Sequence, residues 1–181
     1  PMLKLSDIDP EAEWYEVQEK TAGNAPLLYH KEFTNNVVYT RLYFDARVLE
    51  DEMIPWAALL SEVLAGLNTE TYTYGELDNQ LNLHTGDFRV SLNSYSRDSR
   101  DQHLLPKLVV RTKCMSSKLD KTAELVAEIL NHSIYNDKER LKTLLSRHHS
   151  RLEAYVERNG YQIARTRLQS YYSNAGLFDE L

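Results

Sequence analysis

The chain has one cysteine, six glycines and five prolines in 181 residues. A lone thiol, Cys114, cannot close a disulfide within the chain. That excludes a disulfide-stapled scaffold and fits a reducing compartment or simply low cysteine use. The glycines fall in neither the G-x-x-x-x-G-K nor the G-x-G-x-x-G spacing, so no phosphate-cradling loop is present. The nucleophile elbow G-x-S-x-G is absent as well. No apolar run approaches the roughly 18 residues of a membrane helix, and the opening PMLKLSDIDP lacks the apolar stretch of a secretory signal. Positive charge is short: 21 Lys and Arg stand against 27 Asp and Glu, a net −6 that leaves no bulk footprint for nucleic acid. The six histidines, His30, His84, His103, His132, His148 and His149, form no H-x-x-x-H or H-x-H pair. The adjacent His148 and His149 would diverge by about 100° around a helix, which is poor for joint ligation. No residue of this chain is therefore assigned a catalytic or metal-binding role, and Cys114 reads as a buried structural thiol.

What is present is ordinary for a soluble globular protein: 42% hydrophobic and 27% charged residues, enough for one domain with a real core. Charge is uneven. Residues 138–167 hold eight Lys and Arg against three Glu, about +5, which leaves the rest near −11. This is either a solvated basic helix face or a docking surface for an acidic partner. Residues 1–25 read as a linker with at most short order, and the AGLFDEL end stops short of a finished domain, so a fragment is expected.

Residues 26–33 read as a short strand, followed by turn chemistry at TNN, 34–36. In 37–46, Val38, Thr40, Leu42 and Phe44 alternate with Tyr39, Arg41 and Tyr43, and the first set is expected to face the core. Tyr39 and Tyr43 then share the opposite face, which another domain covers, water wets or a ligand occupies. Residues 49–67 turn helical, with Ile54, Ala57, Ala58, Val63 and Leu64 on one side and a stop at Gly66 and Asn68. Asp51 and Glu52 suit the positive end of that helix. Thr73 and Glu76 have capping-box spacing for a helix over 73–85. Strands follow at 86–96 and 105–115 around a charged hairpin loop, 97–103. Three helices close the chain: 118–135, with a stripe of Leu119, Ala123, Val126, Ile129 and Leu130; 137–159, capped by Asp137 and stopped by Gly160; and 161–176, where Tyr171 and Tyr172 would pack. Strand pairs joined by hairpins, with helices in blocks, predict an α+β fold: one largely antiparallel sheet with helices packed on one face. By this reading residues 26–181 are a single α+β domain.

Several stretches in this order carry a family resemblance: FTNNVVYTRLYFD, a helix ending AGLNT, YTYGELDNQL, HTGDFRVSLNSYS, and RLEAYVERNGYQIARTRLQSYYSNAG. Together, over roughly residues 26–178, they resemble the pitrilysin/insulinase-type (M16) zinc metallopeptidases, and within them the third domain of the presequence-protease branch. No single motif decides; the collinear set does. The resemblance implies a fold like that of mitochondrial processing peptidase, here truncated. It also places the segment AALLSEVLAGLNT, 57–69, on the helix that carries H-x-x-E-H in the catalytic domain. Counted back from Asn68 and Thr69, the two histidine places fall on Leu59 and Val63 and the glutamate place on Glu62. The third ligand of the family comes from a later helix, near Ser146 here, and no carboxylate lies between Glu139 and Glu153. The resemblance therefore implies a non-catalytic scaffold and chamber-wall domain without zinc ligands. Its parent would be a zinc metalloendopeptidase that degrades unstructured peptides, with zinc in the N-terminal half. Its partners would be that catalytic half, the last domain of the same polypeptide and peptide substrates, with no nucleic acid and no membrane. A soluble, reducing location is expected, either bacterial cytoplasm or mitochondrial matrix. The alternative is a scaffold core subunit of a hetero-oligomeric complex with the same fold and no peptidase activity.

Overall fold

The computed structural model describes residues 11, 14–96 and 103–181, which fall in two compact units, 1–36 and 37–181. In the first unit, β1 (Gln18–Ala22) pairs antiparallel with β2 (Ala25–Tyr29), Ala22 opposite Ala25. The two-residue turn Gly23–Asn24 makes this hairpin possible. Gly23 has a φ of +62°, which costs a glycine nothing. Residues 18–22 thus form a strand where a linker of short order was expected. The following strand ends at Tyr29, before the expected 33. Asn35 and Asn36 take left-handed backbone, as the TNN turn predicted.

In the second unit, β3 (Val37–Asp45), β4 (Asp87–Asn93) and β5 (Lys107–Met115) form an antiparallel sheet in the order β3-β5-β4. Around them lie α1 (Ile54–Val63), α2 (Tyr74–His84), α3 (Leu119–His132), α4 (Lys138–Arg158), α5 (Gly160–Ser170) and α6 (Asn174–Glu180). The fold is α+β, as the sequence predicted. The loop expected at 97–103 lies, up to residue 102, outside the described residues.

One face of the sheet, Val90 on β4 and Val110 on β5, closes on Val63, Leu64, Leu67, Leu77, Leu81, Leu125, Val126, Ile129 and Leu144. Leu67 and Ile129 are fully buried. The strand alternation is as expected, except that Leu42 and Phe44 stay about 40% exposed (38% and 45%). They stand opposite Val110 and Leu108 on the core side, but β3 is the edge strand, and the buried cluster centres on β4 and β5. The α1 stripe also shifts. Pro55 sits in the first turn, where its missing N–H is harmless. Leu59 and Leu60 pack against the core while Ala58 is exposed. On α3 the buried line is Thr122, Leu125, Val126 and Ile129, with Leu119 and Ala123 exposed.

The tail departs from expectation at two points. Asn159 breaks the long helix, and Gly160 begins α5 instead of merely ending α4. The expected third helix is two helices. Ser173 caps α6, its hydroxyl accepting from the Gly176 N–H at 3.0 Å. Gly176 also lies so close to the Gln169 carbonyl that a β-carbon there would collide with backbone. Tyr171 and Tyr172 sit at this turn, each 75% exposed, so they do not pack as a helical pair.

Candidate functional site

The segment 57–69 is held by a helix far later in the sequence, α4. At the end of the segment, Gly66 lies under Leu144 of α4, and its carbonyl accepts from Arg140 Nε at 2.7 Å. Asn68 donates to Asp137 Oδ2 at 3.0 Å and accepts from the Tyr74 N–H at 2.7 Å. The Arg140 guanidinium stacks over the Tyr74 ring at 3.5 Å. Asp137 is the α4 N-cap expected from sequence, accepting from the Arg140 N–H at 3.0 Å. The AGLNT end of α1 is thus a junction joining α1, α2 and the start of α4. An isolated bridge from Thr69 to Ser133, with the Ile134 N–H donating to the Asn68 carbonyl at 2.8 Å, adds the end of α3.

Glu62 lies on the side of α1 that faces the middle of α4. Its Oε2 accepts from Arg151 Nη2 at 3.1 Å, with His148 Nδ1 at 3.7 Å. The Glu62 side chain is about half exposed (45%), so this contact contributes at most about 1 kcal/mol. The two flanking places differ: Val63 is buried in the core cluster and Leu59 packs against it. Ser146 lies on α4 beside a shallow depression it shares with Leu145, His148, His149, Ser150 and Leu152. The structure therefore sets α1, with Glu62 and its two apolar neighbours, against α4, the helix that carries Ser146. It also adds Arg151 and His148, neither of which sequence reading had joined to Glu62. Their three-residue spacing puts both on one side of α4, and that was the available signal.

These residues do not fit zinc. The carboxylate is engaged by a guanidinium that repels a cation, and the flanking side chains offer no lone pair.

The other singled-out residues lie away from Glu62. Cys114 is buried on β5. The capping box at α2 forms as predicted: Thr73 Oγ1 accepts from the Glu76 N–H, and the Glu76 carboxylate accepts from the Thr73 N–H at 2.9 Å. That backbone bond, then the Thr73 hydroxyl, holds the Glu76 carboxyl below its ordinary range. Glu128 is lowered in the same way by the Thr69 hydroxyl and by Thr71, whose N–H donates to it at 3.0 Å. Tyr39 and Tyr43 lie on the sheet face opposite the core, 62% and 51% exposed. Among the described residues no helix is long and apolar enough to cross a membrane.

The family model for the segment associated with M16 peptidases of subfamily C matches residues 1–181. Protein HypA of Clostridium perfringens is 33% identical over 180 residues, 99% of this chain and 18% of that protein. Presequence protease 1, chloroplastic/mitochondrial, of Arabidopsis thaliana is 27% identical over 180 residues, 99% of this chain and 17% of that protein. The mitochondrial presequence protease of Xenopus tropicalis is 28% identical over 181 residues, 100% of this chain and 18% of that protein. The chain thus spans less than a fifth of the length of the curated relatives it matches.

Proposed function

This chain belongs to the family associated with M16 peptidases of subfamily C, and from that premise we propose that it is the non-catalytic scaffold and chamber-wall domain of a zinc metalloendopeptidase acting on unstructured peptides. The cleavage chemistry and the zinc belong to the N-terminal half of the parent polypeptide. Presequences, for which two of the relatives are named, are one such class of peptide. The observation that carries the non-catalytic reading is Glu62 on Arg151, flanked by Leu59 and Val63. A general base must be free to take a proton from water. Here the carboxylate serves as a tie between α1 and α4.

The test uses the protein in its full reading frame. Cleavage of an unstructured peptide should require zinc, and Glu62→Gln should leave kcat and KM within about twofold of the parent, because a lost surface contact of this kind is worth under about 1 kcal/mol. A hundredfold fall in kcat with unchanged folding would make Glu62 a working residue and end the non-catalytic reading. A full-length protein that holds no zinc and cuts no peptide would end the peptidase reading itself.

A further inference from the structure

The sheet register stacks the face opposite the core into cross-strand rows. Asp87, Lys113 and Tyr39 form one row; Arg89, Arg111 and Arg41 form the next. Ser91, Val109 and Tyr43 follow, then Asn93, Lys107 and Asp45. The two outer charged rows are balanced. Lys113 stands opposite Asp87, with its ammonium 5.6 Å from the Tyr39 ring centre, and Lys107 Nζ lies 3.4 Å from Asp45. The arginine row is the exception. It sets like charges directly opposite one another across both strand pairs, an arrangement that destabilises a sheet. Among the described residues, none of the three arginines forms an ion pair.

Two further observations point to an anion. Arg111 Nε is buried without a hydrogen-bond partner among the described residues, which leaves a charged donor unsatisfied. Arg111 and Arg41 also line a common depression of about 250 Å³ with Asn93, Ser94, Tyr95 and Val109. A carboxylate of the chain already reaches its edge: Ser94 Oγ donates to Asp179 Oδ1 of α6 at 2.8 Å. Tyr43 and Tyr95 meet edge to face beside it, ring centres 6.2 Å apart.

We propose that the Arg41–Arg111–Arg89 row binds the side-chain carboxylates of an acidic peptide segment. Three adjacent strands span about 10 Å, the reach of about three extended residues. Guanidinium forks match carboxylates two bonds at a time, and Arg111 has an N–H to spare. The chain's net charge of −6 works against a polyanion of nucleic-acid charge density and tolerates a short acidic stretch bound locally. The proposal rests on the peptidase reading only in choosing a peptide as the ligand.

The experiment uses the full-length protein with chelator present, so that cleavage is off. The probe is a fluorescent decapeptide alternating Glu and Ser with an amidated C-terminus, compared with its Gln-for-Glu counterpart. The Glu peptide should bind at least tenfold tighter, with affinity falling steeply as salt rises. Arg41→Gln and Arg89→Gln, both at exposed positions, should each weaken it several-fold, and Arg111→Gln more; Lys142→Gln on α4 should leave it within twofold. Equal binding of the two peptides overturns the proposal. So does acidic-peptide binding that ignores Arg41 and Arg89, even where Arg111→Gln fails to fold. A labelled single-stranded oligonucleotide bound tighter than the peptide, with the same arginine dependence, overturns it in favour of nucleic acid. Zinc content and cleavage of a separate unstructured peptide, read on the same protein without chelator, test the other reading: arginine-dependent binding by a protein that holds no zinc and cuts no peptide sinks the peptidase reading and leaves the row standing.

Discussion

The two faces of the β3-β5-β4 sheet are built on opposite terms. On one, Val90 and Val110 meet the side chains of α1, α2 and α3 and the loops between them, and stability comes from removing apolar surface from water. On the other, side chains of the same strands carry charge in rows, two balanced and one not. The strands alternate, so each residue step changes the rule. Packing alone explains the first face, whereas the second holds an arrangement that packing would not select.

The largest effect should come from breaking the apolar face. Ile129→Ala or Leu67→Ala, both fully buried, should cost about 2–5 kcal/mol, read from denaturant midpoints. A loss under about 1 kcal/mol would mean that the core does not close where it is described. Next comes the junction that orders the helices over this face. Asp137→Ala removes the α4 cap and the Asn68 contact together and should cost about 0.5–2 kcal/mol; Asp137→Asn or Asp137→Ser should recover most of it. On the charged face the sign reverses. Arg89→Thr relieves one like-charge neighbour and keeps strand preference, so stability should rise by about 0.2–1 kcal/mol, with the gain shrinking in high salt. A loss there would show the row to be satisfied within the fold and would weaken the case for an anion. The smallest effect is at the α2 cap. The Glu76 carboxyl titrates lower in the folded protein than unfolded, so its contribution is present above the ordinary glutamate range and disappears as pH falls through the folded value. Glu76→Gln should flatten that part of the stability–pH curve, measured by thermal melts at stepped pH.

Much of this was readable from residue order. The α2 capping box, the Asp137 cap and the β3 alternation were visible because each depends on residues close together in the chain. The α1 and α3 stripes were misplaced by a residue or two because helical period alone does not say which side a neighbour takes. Leu125 and Thr122 are buried because α3 meets α2 and β5, and Thr122 Oγ1 finds the His84 carbonyl at 3.3 Å. The β1–β2 hairpin was missed although Gly23–Asn24 is a two-residue turn signal, since the flanking residues mix polar and apolar without clear period. At the candidate site, Glu62 and its apolar neighbours were legible, but Arg151 was not, because a contact across 89 residues is set by helix crossing. The arginine row was least legible of all. Arg41, Arg89 and Arg111 lie in three separate strands, and only their register makes them neighbours.

The Glu62–Arg151 tie also bears on how such a domain could change over generations. An H-x-x-E-H pattern on this helix would require a histidine at 63, an imidazole pressed into the apolar cluster that Val63 now fills. That step alone lowers stability, because a polar ring would replace an apolar side chain among buried apolar neighbours. The packing that fills the helix with Val63 and Leu59 is thus itself a barrier to such a change, independent of any chemistry the new side chains could offer.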